Sequence, residues 1–384
     1  MEVEIERILP GGVGLAHTEG RTLFVSLAAP GDVVRVKVER EQGNVLFATI
    51  EEVVKPSPVR VEPPCPYFGR CGGCDFQQLT YEAQLAAKSD IIRDCLHRIA
   101  KLDIDKVTVR PSPSQWRYRL RATWQIDQEQ ELIGYYERGS RRVCDVVDCA
   151  VLRPELQQTL ETVRSTPWFE FPPGLQHLEV VSGDSGISLA PGFAEFATNE
   201  LSREVAGESL SFNAEAFFQA NAEIVESMIE FAVSPYSGES AVDLYCGVGL
   251  FTLPLARRFK RVVGVEASHV ASKYARRNVA NGGLTNTSIV SESVTAWMKF
   301  QSKSIGPVDF VLLDPPRVGA ESVVVKGILD LKPLRICYVS CDPATLARDL
   351  KKLIAGGYRV DSILGFDMFP QTHHVETVVH LIIS

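Results

Sequence analysis

Residues 241–252 read AVDLYCGVGLFT, an apolar run followed by a glycine turn and the start of a helix. Gly247 and Gly249 in the turn let the backbone approach a ligand closely. A second apolar run, residues 262–266, ends in Glu266, whose carboxylate can accept hydrogen bonds from both hydroxyls of a ribose. The turn lacks the third glycine of dinucleotide-binding proteins, so these residues favour S-adenosylmethionine (SAM) over NAD. The alternative is a glycine that only packs a helix, with a surface glutamate.

The chain on either side of this motif divides into three regions. From residue 212 onward, apolar runs alternate with helical segments, which predicts a doubly wound α/β domain with a mostly parallel sheet. Residues 1–58 show about five short alternating runs separated by turns, the pattern of a small β-barrel of the OB type. Residues 59–211 combine a predicted helix, Tyr81–Ile99, with a β-rich stretch. The strands predicted in the α/β domain are Ala241–Tyr245, Val262–Val265, Phe310–Leu313, Ile336–Val339 and Val375–Ile383.

Composition limits the class of protein and its partners. The chain has 384 residues, 45% of them hydrophobic, and it begins with alternating acidic and apolar residues rather than a signal peptide. No apolar run approaches the ~18 residues of a membrane span, so we expect a cytoplasmic protein without a membrane partner. The formal net charge of −8 argues against nucleic acid unless positive charge is local. An alternating strand at residues 116–124 would supply it, with Arg117, Arg119 and Arg121 on one face to contact phosphates; a solvated sheet face is the alternative.

A cysteine stands where an apolar run meets a helix, in ICYVSCDP at residues 336–343. Asp342 is a predicted N-cap and Pro343 suits the first helical position. The thiol of Cys341 would then face the positive end of the helix dipole, which lowers a cysteine pKa and favours the nucleophilic thiolate. A buried structural cysteine is the alternative.

Two acidic residues stand at the ends of other predicted strands. Asp314 ends the run VDFVLLDPPR, at the edge where α/β folds bind ligands. Its Asp-Pro-Pro resembles the tetrapeptide of methyltransferases that act on planar nitrogen, but Arg317 replaces their stacking aromatic residue. Glu376 stands at the edge of a very apolar run, where a raised pKa would suit a general base. A solvated glutamate at a strand end is the alternative.

Nine cysteines are present, and three of them, Cys65, Cys71 and Cys74, lie within the ten residues CPYFGRCGGC. This spacing predicts a metal site. A fourth ligand is needed, and Cys144 and Cys149 are both candidates. Four thiolates suit either zinc or an iron–sulfur cluster.

With these motifs in hand, the chain resembles over nearly its whole length the RNA uracil-C5 methyltransferases, which make 5-methyluridine in tRNA and ribosomal RNA. The resemblance is to the branch with a TRAM domain and an iron–sulfur site. It implies a class I SAM-methyltransferase domain of Rossmann-like fold, an OB-like TRAM domain at the N-terminus that binds RNA, and a β-rich central iron–sulfur domain.

The resemblance also implies roles for individual residues. The [4Fe-4S] cluster would be held by Cys65, Cys71, Cys74 and Cys149, since Cys149 precedes a Val-Leu-x-Pro-like stretch; Cys144 is then left over. Phe218-Gln219-Ala220-Asn221 resembles a family motif whose glutamine lies in the active site. The positions implied for SAM are Tyr245, Glu266 and Asp314, and those for nucleophile and base are Cys341 and Glu376. A position that is often Asn in the family is Leu250 here, and a further SAM contact near Glu292 or Ser293 has no clear counterpart.

The chemistry of uracil requires both a nucleophile and a base. Carbon 5 becomes reactive only after a thiolate adds at carbon 6, and the adduct must later lose the proton on carbon 5. We assign these roles to Cys341 and Glu376, acting on a uridine flipped out of a structured RNA loop. We expect a monomer that methylates ribosomal RNA, with the T-loop of tRNA as the alternative. Two further alternatives are an amino-methyltransferase built on Asp314 and a non-catalytic RNA-binding iron–sulfur redox sensor.

Overall fold

The structure is a computed structural model that describes residues 1–384, and its first 55 residues form one six-stranded sheet. The strands are β1 (Glu2–Glu4), β2 (Arg7–Leu9), β3 (Val13–Thr18), β4 (Arg21–Val25), β5 (Val33–Gln42) and β6 (Val45–Lys55), in the order β1-β5-β6-β4-β3-β2. Alternate residues such as Leu23 and Val25 are fully buried inside it. The sequence predicted about five strands in this region, and the structure has six.

The next region contains a five-stranded antiparallel sheet covered by a helix. Its elements are α1 (Tyr81–Cys95), β7 (Val109–Arg110), β8 (Arg121–Asp127), β9 (Leu132–Tyr136), β10 (Val143–Asp145), α2 (Pro154–Ser165), β11 (His177–Gly183), β12 (Gly186–Ala190), β13 (Leu201–Val205) and β14 (Glu208–Phe212). The sheet order is β10-β9-β8-β11-β12, and β13 pairs only with β14. The core between sheet and helix includes the fully buried Trp124 and Leu160.

The predicted strip of arginines along residues 116–124 is wrong. The strand begins only at Arg121, because Arg117 has a φ of 53° and lies outside the extended region. The Arg117 guanidinium pairs with Asp148 at 3.0 Å and that of Arg121 with Glu179 at 3.1 Å. The alternation of residues in the sequence suggested one strand, but the backbone turns at Arg117, before the strand begins. The side chains of Arg117 and Arg121 form ion pairs within the protein.

The remaining chain forms an eight-stranded sheet with helices on both faces, as predicted. Its elements are α3 (Ala222–Val233), β15 (Gly238–Leu244), α4 (Thr252–Ala256), β16 (Phe259–Glu266), α5 (His269–Asn281), β17 (Thr287–Ser291), α6 (Val294–Phe300), β18 (Phe310–Leu313), α7 (Ser322–Leu331), β19 (Arg335–Ser340), α8 (Pro343–Ala355), β20 (Tyr358–Phe366) and β21 (Glu376–Ile383). The order is β17-β16-β15-β18-β19-β21-β20-β7, and only β21 runs antiparallel to its neighbours. The central strands are apolar on both faces because each face packs against a separate core.

Strand β7 joins this sheet and helix α1 packs against it, although both come much earlier in the chain. Strand β7 pairs in parallel with β20, and Ile92 and Cys95 of α1 lie in the same core as β18 and β19. The division at residues 58 and 211 stays a prediction.

Helix α1 has 15 residues, and no helix is long and apolar enough to cross a membrane.

Candidate active site

Four of the residues assigned to SAM lie together at the carboxyl edge of the large sheet. Strand β15 pairs with β16 on one side and with β18 on the other, so the strand order reverses there. Open α/β sheets bind their ligands at such a reversal. Tyr245 and Gly247 follow β15, Glu266 ends β16, and Asp314 follows β18.

The glycine turn has unusual backbone angles and is fixed by a hydrogen bond to Glu266. Gly247 and Gly249 have φ values of 54° and 98°, and Tyr245 shares the left-handed region at 63°. The amide of Gly247 donates to Glu266 Oε2 at 2.9 Å, and the amide of Ser268 donates to Oε1 at 2.7 Å. Glu266 thus joins the turn to the start of α5.

Two carboxyl groups beneath the turn make the site suited to a cation. Asp243 is fully buried, accepts a hydrogen bond from Thr252 Oγ1 at 2.5 Å, and has one oxygen without a partner. Burial raises the pKa of Asp243 to about 8 and that of Asp314 to about 7. A positive charge nearby would favour their ionised forms. The sequence analysis assigned no role to Asp243, although an acid inside an apolar strand was a signal for one.

The segment that carries Gln219 is held on both sides. Phe218 stacks on Phe212 with ring centres 4.3 Å apart and an interplanar angle of 6°. Asn221 caps α3 by accepting from the amide of Glu223, and Ala220 O accepts from the amide of Leu120 at 2.9 Å. Gln219, only 5% exposed, is therefore fixed between anchored neighbours.

Strand pairing brings Cys341 and Glu376 together. Strands β19 and β21 are antiparallel neighbours in which Ser340 lies opposite Thr377. The next pair of residues along this register is Cys341 and Glu376, and the Cβ atoms of such pairs are ~5 Å apart. Glu376 is 3% exposed. The two residues, 35 positions apart in the sequence, therefore share one wall of the site.

Helix α8 begins immediately after Cys341, as predicted. The carboxylate of Asp342 accepts from the amide of Thr345 at 2.8 Å, and Pro343 takes the first helical position. These details confirm the predicted N-cap. Because both ends of residues 340–343 are bound to regular structure, the thiol of Cys341 sits at a rigid junction.

The expected low pKa of the Cys341 thiol is wrong. Burial, followed by the charge of Glu376, raises the pKa of this thiol to about 12, while Arg317 acts in the opposite direction. Burial and Asp314 also raise the pKa of Glu376 well above its usual range, again opposed by Arg317. The sequence revealed the helix start but not the carboxylates facing the thiol. Burial therefore favours the protonated form of both groups.

The cysteine cluster lines a cavity in the central region. All four assigned cysteines, Cys65, Cys71, Cys74 and Cys149, contribute to its wall, whereas the fifth candidate, Cys144, does not. No group of three or more Cys, His, Asp or Glu side chains is arranged to hold a single metal ion. Four thiols around one cavity suit either zinc or an iron–sulfur cluster.

A half-buried arginine faces the same cavity. Arg119 lines it, and its Nε is buried without a hydrogen-bond partner. Its guanidinium lies over the ring of Phe369 at 5.8 Å, and no carboxylate forms an ion pair with it. A partly buried cation without an anion is unfavourable. The cavity therefore suits a group with negative charge.

Two family models match parts of the chain. The family model described as tRNA (Uracil-5-)-methyltransferase matches residues 194–383, and one for the TRAM domain of tRNA (uracil(54)-C(5))-methyltransferase matches residues 1–59. The chain is 35% identical to the 23S rRNA (uracil(1939)-C(5))-methyltransferase RlmD of Pseudomonas putida, over 98% of this chain and 92% of the relative. The chain belongs to the RNA uracil-C5 methyltransferase family.

Other members of the uracil-C5 methyltransferase family match along the full length. The enzyme of the same name from Vibrio parahaemolyticus is 32% identical over 98% of this chain and 94% of the relative. The crystal structure of Pyrococcus abyssi tRNA (uracil-54, C5)-methyltransferase with S-adenosyl-L-homocysteine superposes with a TM-score of 0.77, at 25% identity and 100% coverage of both chains. The predicted family and fold class are confirmed, and SAM is the cofactor.

Proposed function

We propose that this protein transfers a methyl group from SAM to carbon 5 of a uridine in ribosomal RNA, through a covalent bond between Cys341 and the uracil. The observation that carries the proposal is the β19–β21 register, which sets a thiol and a buried carboxyl group on one wall of the site. The names of the bacterial relatives support ribosomal RNA as the substrate.

The first step is addition of the Cys341 thiolate to carbon 6. A bond forms between Sγ and carbon 6, and the electrons of the carbon 5–carbon 6 double bond move to oxygen 4 as an enolate. Cys341 and Glu376 lie at the buried edge of the sheet, so only a uridine that has left its stack can reach them.

The second half of the reaction uses Glu376. The enolate directs carbon 5 onto the methyl group of the SAM sulfonium, and the sulfur keeps the electrons of the broken bond. Glu376 then removes the proton from carbon 5, the ring double bond re-forms, and the Cys341 thiolate leaves. Since Arg317 lowers the pKa of both groups, it favours the ionised forms that the two steps need.

We place SAM above the glycine turn. Glu266 would hold the ribose hydroxyls, Gly247 and Gly249 would allow close approach of the backbone, and Gln219, Tyr245 and Asp314 would line the methionine side. The segment at Glu292 and Ser293 follows β17, and the amide of Glu292 donates to Glu266 O at 3.0 Å. This segment therefore lies beside the proposed ribose site.

We further propose that Cys65, Cys71, Cys74 and Cys149 hold a [4Fe-4S] cluster. The support is a cavity walled by all four thiols, together with the unpaired cation Arg119. A cluster bound by four thiolates carries negative charge, which would complement the guanidinium. Because methyl transfer moves no electrons to or from an external acceptor, we assign the cluster a structural role.

Removing the charge of Arg119 should lower the midpoint potential of the cluster. We expect Arg119→Met to shift it by on the order of 50–100 mV toward negative values, the effect of one nearby unit charge at the effective dielectric of a protein. Arg119→Lys keeps the charge and serves as the control. The measurement is a redox titration followed by electron paramagnetic resonance, and equal potentials in all three proteins would contradict the assignment.

The reactivity of Cys341 should depend steeply on pH and on the charge of the cofactor. Because its pKa is raised to about 12, alkylation by iodoacetamide should accelerate about tenfold per unit between about pH 7 and 9. SAM should increase the rate, since its sulfonium favours the thiolate, whereas the uncharged S-adenosylhomocysteine should not. Mass spectrometry of the peptide containing Cys341 measures the rate. A rate independent of pH would mean that the thiolate is already formed.

The reaction and the RNA are tested together by product analysis. The purified protein is incubated with labelled SAM and either 23S rRNA or bulk tRNA from a strain that lacks the gene, and 5-methyluridine is measured by mass spectrometry. Incorporation into one rRNA position supports the proposal. Incorporation into tRNA alone would establish the T-loop alternative, a methylated exocyclic amine would establish an amino-methyltransferase, and RNA binding without any product would favour the redox sensor.

A further inference from the structure

The loop that leads to Glu376 is held by parts of the chain far from it in sequence. Residues 367–375 connect β20 to β21 and end next to Glu376. Lys88 Nζ donates to Phe369 O at 2.9 Å and also binds the carboxylate of Asp367. The hydroxyl of Tyr118 donates to Pro370 O at 3.0 Å. The position of this loop therefore depends on α1 and the central region.

The residue after Cys74 makes the densest set of these contacts. One carboxylate oxygen of Asp75 accepts from the amide of His373 at 2.8 Å, and the other lies 2.5 Å from His373 Nδ1. The amides of Asp75 and Phe76 both donate to Gln371 O at 3.0 Å. Four hydrogen bonds thus join this short segment to the loop, at positions three and five residues before Glu376.

The N-terminal sheet also contacts His373, through the turn between β2 and β3. Gly12 packs so tightly on His373 that a Cβ at Gly12 would lie 2.9 Å from the Cβ of His373. The rings of His373 and His374 contact each other with centres 4.1 Å apart and an interplanar angle of 39°. His373 is therefore clamped between Asp75, Gly12 and His374, with little freedom to move.

The contacts of Asp75, Gly12 and His374 with His373 form what we call the clamp. Cys341 is positioned independently of this clamp. It lies between β19 and α8, whose start is capped by Asp342. A change at Asp75 would displace the loop before Glu376 while leaving the thiol in place. The two chemical steps can therefore be separated by experiment.

We propose that Asp75 is a positioning residue that aligns Glu376 for removal of the carbon 5 proton, through its hydrogen bonds to His373. The inference rests on the proposed function, because it takes Glu376 to be the base. It also assigns a purpose to the cysteine site: the segment that binds the loop follows Cys74 directly, so the same structure that holds Cys74 holds the loop.

The test compares how much protein is trapped as the covalent RNA adduct with how much methylated RNA is released. Wild type, Asp75→Asn and His373→Ala are mixed with SAM and the substrate RNA, quenched, and separated on denaturing gels. We expect turnover to fall about 10–100-fold in both variants, with a several-fold larger fraction of protein trapped as the covalent RNA adduct. Affinity for SAM and visible absorbance should stay unchanged.

Asp148→Asn is the matched control, because Asp148 also adjoins a cysteine of the cavity but pairs with Arg117 and does not contact the loop. It should behave as wild type. Equal loss of adduct and product in both clamp variants, or no loss in either, would overturn the inference. If Asp75→Asn loses its visible absorbance, the substitution has also damaged the cysteine site. In that case the ratio of adduct to product in His373→Ala tests the inference. Absence of adduct in Glu376→Gln would instead refute the proposed base.

Discussion

Cys341→Ala abolishes methyl transfer and formation of any covalent adduct, on our account, while SAM still binds. The expected loss is on the order of 10⁴-fold or more, as for removal of a nucleophile in other enzymes with covalent intermediates. The substitution leaves the fold unchanged, because the side chain lies at a junction already fixed by Asp342 and the end of β19. Product formation is measured as 5-methyluridine, and SAM affinity by calorimetry.

Cys337→Ala is the control for this substitution. Cys337 lies on β19, the strand that ends just before Cys341, and is fully buried against the core, so its loss should cost about 1–2 kcal/mol of unfolding free energy and little activity. Activity retained by Cys341→Ala, or lost equally in both variants, would contradict the role of Cys341.

Glu376→Gln should stop the reaction after the methyl group has been transferred. Glutamine keeps the shape of the buried side chain but cannot accept the proton from carbon 5, so turnover should fall about 10²–10⁴-fold. Since thiol addition and methyl transfer remain possible, protein bound covalently to methylated RNA should accumulate. The adduct is measured on denaturing gels with RNA carrying a labelled methyl group.

Asp314→Asn provides the contrast. Asp314 follows β18 at the proposed SAM site, so its substitution should weaken SAM binding without accumulation of adduct. If the two variants behave alike, the separation of base from cofactor site is wrong.

The fold could be predicted largely from apolar runs, and the misses have a physical cause. The five strands predicted in the large sheet are buried on both faces and are therefore mostly apolar. Strands β17 and β20 were not predicted, because they lie nearer the sheet edges and carry polar residues such as Ser288 and Asp361. Residues 116–120 alternate like a strand, but the positive φ of Arg117 is not visible in sequence.

The candidate site could be predicted as a set of residues but not as an electrostatic environment. The position of Cys341 before a capped helix was correct, whereas its pKa depends on Glu376 and Asp314, which approach from other strands. The contact between Asp75 and His373 joins residues 298 positions apart. Local patterns carry no information on such pairs, because the packing of three separate regions creates them.

The central claim is that Cys341 bonds covalently to carbon 6 of the target uridine. The most direct measurement uses wild-type protein, SAM and substrate RNA in which the target is 5-fluorouridine, since fluorine at carbon 5 cannot be removed by the base. After digestion with protease and nuclease, mass spectrometry should find the methylated fluorouridine nucleotide attached to the peptide that contains Cys341. Attachment to any other residue, or methylation without a covalent adduct, would contradict the account.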